Sequence, residues 1–180
     1  MKKTIVFLAE GFEEIEAISV IDVLRRAEVS VTTVSIGKEK EVKGAHNVPV
    51  VADKLFDEVD FSNYNMVVLP GGMPGAKHLK EHEGVKKQVE TFAKDKYVGA
   101  ICAAPMVLGS MGLLKGKRAT CYPGFEAELI EATITNEPVT VDGNIITGKG
   151  PAFAIQFGLQ LVEILAGKAT KDEVSNGLLL

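Results

Sequence analysis

The chain has 180 residues, enough to bury a core and the size of one domain spanning 1–180. A hydrophobic fraction of 46% beside 24% charged residues excludes a disordered or collagen-like chain. Twenty Lys and Arg against 24 Asp and Glu give a formal charge of −4, with no basic run able to track a phosphate backbone, so nucleic-acid binding is not expected.

Thr4–Ala9 is an apolar, β-branched run ending at Glu10-Gly11, the pattern of a buried strand and turn. From about Glu13 to Ala27, Ile15, Ile18, Val20, Ile21, Val23 and Leu24 cover more than half a helix circumference. Ser30–Ile36 reads as a second strand, Lys40–Asp53 as a hairpin-like excursion around Gly44-Ala45-His46-Asn47, and Met66–Leu69 as a strand running into Pro70-Gly71-Gly72. Val85–Ala93 is an amphipathic helix, Tyr97–Ile101 a strand, and Ala103–Met111 a helix starting almost without a loop. Arg118–Tyr122 makes another strand, Val139–Ile146 a hairpin turning at Asp142-Gly143, and Pro151 opens a last helix through Leu165. Apolar strands alternating with helices predict an α/β fold with a mostly parallel sheet covered on both faces. Two cysteines are too few for a disulfide scaffold, and no apolar stretch has the length of a membrane span, so a reducing cytoplasm is expected.

In such a sheet, ligands bind beyond the carboxyl ends of the strands, near helix N-termini. Cys102 falls at such a junction, flanked by the small residues Ala100, Ala103 and Ala104. This resembles a nucleophile elbow, in which a helix start favours the thiolate and lowers the thiol pKa. The alternative is a small buried hydrophobe, a common fate of free cysteine. The N–H groups of Gly72 and Ala103 are candidate oxyanion donors, although Pro-Gly-Gly is also an ordinary turn signal. Glu13 and Glu16 each lead an apolar helical row, so periodicity does not choose between them as the partner acid.

No histidine follows position 82, which removes the downstream base of a glutamine amidotransferase. His78 and His82 are spaced to share a helix face, but Lys77, Lys80 and Glu81 around them point to solvent rather than metal. His46 receives no role. Cys121 and Tyr122 should face opposite sides of a strand, with Cys121 in the core and a resolving thiol as the minor alternative.

Five segments in order, Gly11-Phe12-Glu13-Glu14-Ile15-Glu16, Asp22–Ala27, Val68–Gly72, Ala100–Pro105 and Gly148-Lys149-Gly150-Pro151, resemble the ThiJ/PfpI superfamily, in its parkinsonism-associated (DJ-one) branch. The resemblance implies a flavodoxin-like three-layer α/β/α sandwich, a homodimer, and a redox-sensitive Cys102 hydrogen-bonded to a protonated Glu16. It further implies glyoxalase or deglycase chemistry on methylglyoxal-like dicarbonyls or their adducts, without metal or organic cofactor, or else an oxidative-stress sensor or chaperone role. Three departures stand out. Ala104 replaces the family glycine and crowds the turn, Ala103 stands where the protease-like branch has histidine, and Tyr122 replaces the histidine some members hold near the cysteine. Peptidase activity is therefore not expected, and Gly71 and Tyr122 remain possible substrate contacts.

Overall fold

The computed structural model describes residues 2–180. In chain order the elements are β1 (Lys3–Leu8), α1 (Glu14–Arg26), β2 (Ser30–Ser35), β3 (Glu41–Lys43), β4 (Pro49–Val51), β5 (Lys54–Leu55) and β6 (Met66–Leu69). They continue with α2 (Gly75–Glu81), α3 (Glu83–Asp95), β7 (Tyr97–Ile101), α4 (Pro105–Ser110), β8 (Arg118–Ala119) and β9 (Thr133–Ile134). The chain closes with β10 (Val139–Asp142), β11 (Ile145–Gly148), α5 (Ala154–Ala166) and α6 (Lys168–Gly177).

Seven strands form the central sheet in the order β10-β11-β7-β6-β1-β2-β5, all parallel except the edge strand β10. The order explains the layers. The crossover from β1 to β2 moves one way across the sheet and that from β6 to β7 the other, so right-handed connections place their helices on opposite faces. Accordingly α1 packs with α5 on one side, while α3 lies on β6 and β7. The mostly parallel sheet covered on both faces is what the alternating pattern predicts, and the flavodoxin-like α/β sandwich is the fold that the resemblance implies.

The strands are apolar because both faces are covered: Phe7, Leu8, Val67, Val68 and Ile101 are 0% exposed, as is Phe157 of α5 above them. Each such side chain contributes roughly 1.5–3 kcal/mol by leaving water. The direction of the chain reverses its walk between β1 and β6, and this switch point leaves a crevice at the strand carboxyl ends. The segments after β1, β6 and β7 meet there.

Several expectations change in detail. The excursion is the two-stranded antiparallel pair β3-β4. The strand expected at Arg118–Tyr122 is confined to Arg118–Ala119 and pairs with β9 outside the main sheet. The helix expected from Ala103 begins at Pro105, because Ala103 and Ala104 are spent on the turn. His78 and His82 do not share a solvated helix face. His82 is the junction residue where α2 ends and α3 begins, its Nδ1 accepting the Val85 N–H at 3.1 Å and its ring 4.8 Å from that of Phe56. The His78 Nδ1–H donates to the Glu10 carbonyl at 3.0 Å. Helix α6 was not foreseen; only Val174 in it is buried, so it carries no apolar period.

Candidate active site

Cys102 has φ +65°, the left-handed region that non-glycine residues seldom adopt. Such a conformation costs about 1–3 kcal/mol and persists when neighbours hold it. Here they do: the Cys102 N–H donates to the Gly148 carbonyl at 2.8 Å, and its own carbonyl accepts the Tyr122 N–H at 2.9 Å. Ala104 completes the turn at φ −63°, an ordinary conformation, so its extra methyl causes no backbone distortion there.

The sulfur faces two N–H groups, those of Gly72 and Ala103. Neither is used by a backbone carbonyl among the described residues. Gly72 reaches this place only as glycine: its φ is +86°, and a Cβ there would lie 2.3 Å from the Glu13 nitrogen. Gly71 is equally constrained, with a Cβ falling 2.6 Å from Cys102 Cβ and 2.7 Å from Glu16 Oε2.

Glu16, in the first turn of α1, is 0% exposed. Its Oε2 accepts the Gly71 N–H at 2.8 Å, and the carboxyl meets the Cys102 thiol. Its Oε1 is buried without a hydrogen-bond partner among the described residues, in a carboxyl whose neighbour is the Cys102 thiol. The choice between Glu13 and Glu16 that periodicity left open is thus made by Gly71. Conversely, the Gly71 N–H is committed to Glu16, so Gly71 orients the acid instead of facing an incoming ligand.

Burial raises the Glu16 carboxyl to about 7, with the bonds from Cys102 and Gly71 pulling it down and the Glu13 charge pushing it up. Burial, followed by the charge and hydrogen bond of Glu16, pushes the Cys102 thiol upward, while the Gly72 and Ala103 N–H groups pull it back. The lowered thiol expected from a helix start alone is therefore corrected. Cys102 is 8% exposed and α4 is only six residues long, so desolvation and Glu16 outweigh the end of the helix. The two groups titrate as a unit that first gives up one proton and resists losing the second.

Tyr122 is exposed and its ring lies against Gly150, beside the elbow through its backbone bond to Cys102. Cys121 is 4% exposed, a core residue as expected, although β8 ends before it.

Sequence reasoning left His46 without a role. The β3-β4 excursion folds back over the turn after β1, with Gly11 N–H donating to the Lys43 carbonyl and Ala45 N–H to that of Phe12. This brings His46 to Glu14, 32 positions away: the His46 N–H donates to Glu14 Oε1 at 2.7 Å, and Nδ1 lies 3.0 Å from Oε2. Burial raises the Glu14 carboxyl, but its bonds from the His46 side chain and from backbone N–H groups outweigh that and lower it overall. The bond to Glu14 and the charges of Glu13 and Glu14 raise His46. No signal short of the folded chain pairs these positions.

With this geometry in view, the comparisons with known proteins are informative. Residues 2–164 match the model of the DJ-1/PfpI family. Protein DJ-1 homolog B of Arabidopsis thaliana is 40% identical over 99% of the chain, which spans 42% of that relative's length. The glutathione-independent glyoxalase DJ-1 of Schizosaccharomyces pombe is 33% identical over 99% of the chain and 98% of its own length. Oxidized DJ-1 of Toxoplasma gondii superposes with a TM-score of 0.95 at 36% identity, covering 99% and 98% of the two chains. The chain belongs to the DJ-1/PfpI family.

Proposed function

We propose that the protein is a cysteine-dependent, cofactor-free glyoxalase of small 2-oxoaldehydes such as methylglyoxal, with adducts of such dicarbonyls as a related substrate class. One observation carries this reading: a buried carboxyl raised to about 7 faces a cysteine whose sulfur also meets two N–H donors. The Glu16 carboxyl gives up its proton before the raised thiol does, so the reactive thiolate forms as the Glu16 carboxylate takes the thiol proton, with the Gly72 and Ala103 N–H groups receiving the sulfur's charge. A glyoxalase among its relatives points the same way.

The Cys102 thiolate adds to the aldehyde carbon, and the resulting oxyanion accepts hydrogen bonds from Gly72 and Ala103, each donor worth about 3 kcal/mol in comparable sites. Glu16 gives its proton to that oxygen, forming the hemithioacetal. The Glu16 carboxylate then takes the C1 proton to give an enediol, exchanges it with solvent and protonates C2, while the C1 hydroxyl proton passes to the C2 oxygen, oxidising C1 and reducing C2 within one molecule. The product is a thioester of a 2-hydroxy acid. Water cleaves it, freeing the thiol, and the sum is a 2-oxoaldehyde plus water giving a 2-hydroxy acid. Proton shuttling of this kind contributes about 10²–10⁴-fold. With Cys102 only 8% exposed, a small carbonyl suits the site better than a folded peptide, in keeping with Ala103 in place of the histidine of protease-like relatives.

The test is proton NMR of methylglyoxal conversion in metal-free protein dissolved in D₂O. Lactate with solvent deuterium at C2, absent with Cys102→Ser, is expected; full conversion by Cys102→Ser overturns the reading. A second reading, a redox sensor, gains from the oxidized Toxoplasma relative. In it Cys102 is oxidised by peroxide to a sulfinate that accepts the Glu16 hydrogen bond. Two oxygens added at Cys102 together with negligible turnover of untreated protein would favour the sensor. For the subunit arrangement we propose a homodimer through the exposed apolar side chains Ile15, Ile18, Val48 and Val51 of α1 and the β3-β4 excursion.

A further inference from the structure

Beside the elbow, but outside the chemistry above, Glu13, Glu14 and His46 place one donor atom each within 4.8 Å of one another. We propose that these three side chains bind a divalent transition-metal ion of the zinc class. The His46 Nδ1 lies 3.0 Å from Glu14 Oε2 and 3.7 Å from Glu13 Oε1. An ion about 2.1 Å from each donor, with ligand angles of roughly 90–120°, holds neighbouring donors about 3.0–3.7 Å apart, which both His46 separations match, while the Glu13 and Glu14 oxygens lie within 4.8 Å of each other.

The site is built rather than gathered from a mobile surface. The Glu13 and Glu14 side chains are only 13% and 12% exposed, whereas the outward His46 is 70% exposed. Glu14 Oε1 is used by the His46 N–H, with the Val48 N–H at 3.4 Å, which fixes the loop and leaves Oε2 for the ion. Gly44 N–H to the Val48 carbonyl and Asn47 N–H to the Gly44 carbonyl close the same loop. The Glu13 backbone is pinned by its N–H to the Gly71 carbonyl at 3.0 Å. Its carboxylate, by contrast, meets no hydrogen-bond donor closer than the His46 ring among the described residues.

The donor set narrows the ion. One imidazole and two carboxylates, with a water completing the shell, suit a borderline ion such as Zn²⁺. Calcium and magnesium prefer six or more oxygens, and copper(I) prefers sulfur.

The experiment titrates the full chain with Zn²⁺ by calorimetry and with Co²⁺ by electronic absorption, using wild type, His46→Ala, Glu13→Gln and Cys102→Ser. One ion per chain is expected in wild type and in Cys102→Ser, without a sulfur-to-cobalt charge-transfer band. Affinity should fall about tenfold or more in His46→Ala and in Glu13→Gln. Circular dichroism checks that each variant folds; His46 is a surface side chain, so its truncation leaves the core intact. A sulfur-to-cobalt band, binding abolished by Cys102→Ser, unchanged affinity in His46→Ala, or no saturable binding to wild type each overturns the proposal. Because Cys102→Ser removes the proposed catalysis and keeps the ion, failure of one reading is distinguishable from failure of the other.

Discussion

The two cysteines of this chain are buried to a similar degree, 8% exposed at Cys102 and 4% at Cys121, and neither forms a disulfide. Their surroundings differ. Burial and the charge of Glu126 push the Cys121 thiol up to about 11, and no N–H donor offsets them. Cys102 is pushed higher still, by burial and then by the charge and hydrogen bond of Glu16, but it sits at positive φ between two N–H groups and beside a carboxyl that titrates at about 7 and can take its proton. Burial makes a thiol inert; donors and a proton partner turn the same burial into a site for holding charge. The strained backbone is what aims the sulfur at those donors, and the Gly148 and Tyr122 backbone groups hold it there.

The sharpest way to break this contrast is to exchange the sulfurs' fates. Cys102→Ser should lower methylglyoxal turnover by about 10³-fold or more, as loss of a nucleophile does, and should remove the rapid phase of alkylation by iodoacetamide. Equal turnover in wild type and variant would place the chemistry elsewhere. Glu16→Gln ranks next, with an expected loss of about 10²–10⁴-fold in turnover.

Glu16→Gln also changes the dependence of stability on pH. The folded carboxyl titrates at about 7 against an ordinary 4.5, so the stabilisation from its proton is complete below 4.5 and is lost as pH rises through 7. That loss amounts to roughly 3 kcal/mol. Urea melts at about pH 4.5 and about pH 8 should show it in wild type and not in Glu16→Gln. A parallel pH dependence in both proteins would remove Glu16 from the titrating pair.

How far the sequence could be read follows the same division between local and distant causes. Strands β1, β6 and β7 were legible because burial on both faces makes them unbroken apolar runs. The elbow was legible from a cysteine flanked by small residues where an apolar strand gives way to a helix, whereas Pro70-Gly71-Gly72 by itself reads equally as an ordinary turn. Glu16 was not separable from Glu13 by period, since both head apolar rows; the discriminating contact comes from Gly71, 55 residues away. The onset of α4 was misplaced by two residues although Pro105 at its first position carried the signal. Strands β5, β8 and β9 have two residues each, too short for any alternation to show. His46 gained its partner only when the excursion folded over α1.

A smaller effect probes the packing that unites the pair. In Gly71→Ala the new methyl would meet Cys102 Cβ, Glu16 Oε2 and the Ile101 carbonyl at 2.6, 2.7 and 3.0 Å. Overpacking of this kind costs about 1–3 kcal/mol. Because the acid and the sulfur must separate to admit the methyl, turnover should fall by more than the loss of folded protein explains. Equilibrium melts and kcat measured on the same sample check this, and turnover that only follows the folded fraction would show that Gly71 acts through stability alone.

The smallest effect belongs to Cys121. Cys121→Ala removes one buried sulfur and leaves a small cavity, which should cost about 1 kcal/mol in urea melts. Turnover and the rapid alkylation phase should stay within a factor of about two of wild type, since Cys121 lacks the donors that make a buried thiol reactive. If the rapid phase slowed markedly in Cys121→Ala while Cys102 remained in place, Cys121 would have to act on the elbow through the neighbouring Tyr122, whose N–H holds the Cys102 carbonyl. The contrast between the two thiols would then be one of coupling along a shared backbone bond, and Tyr122→Pro, which deletes that N–H, should reproduce the slowing.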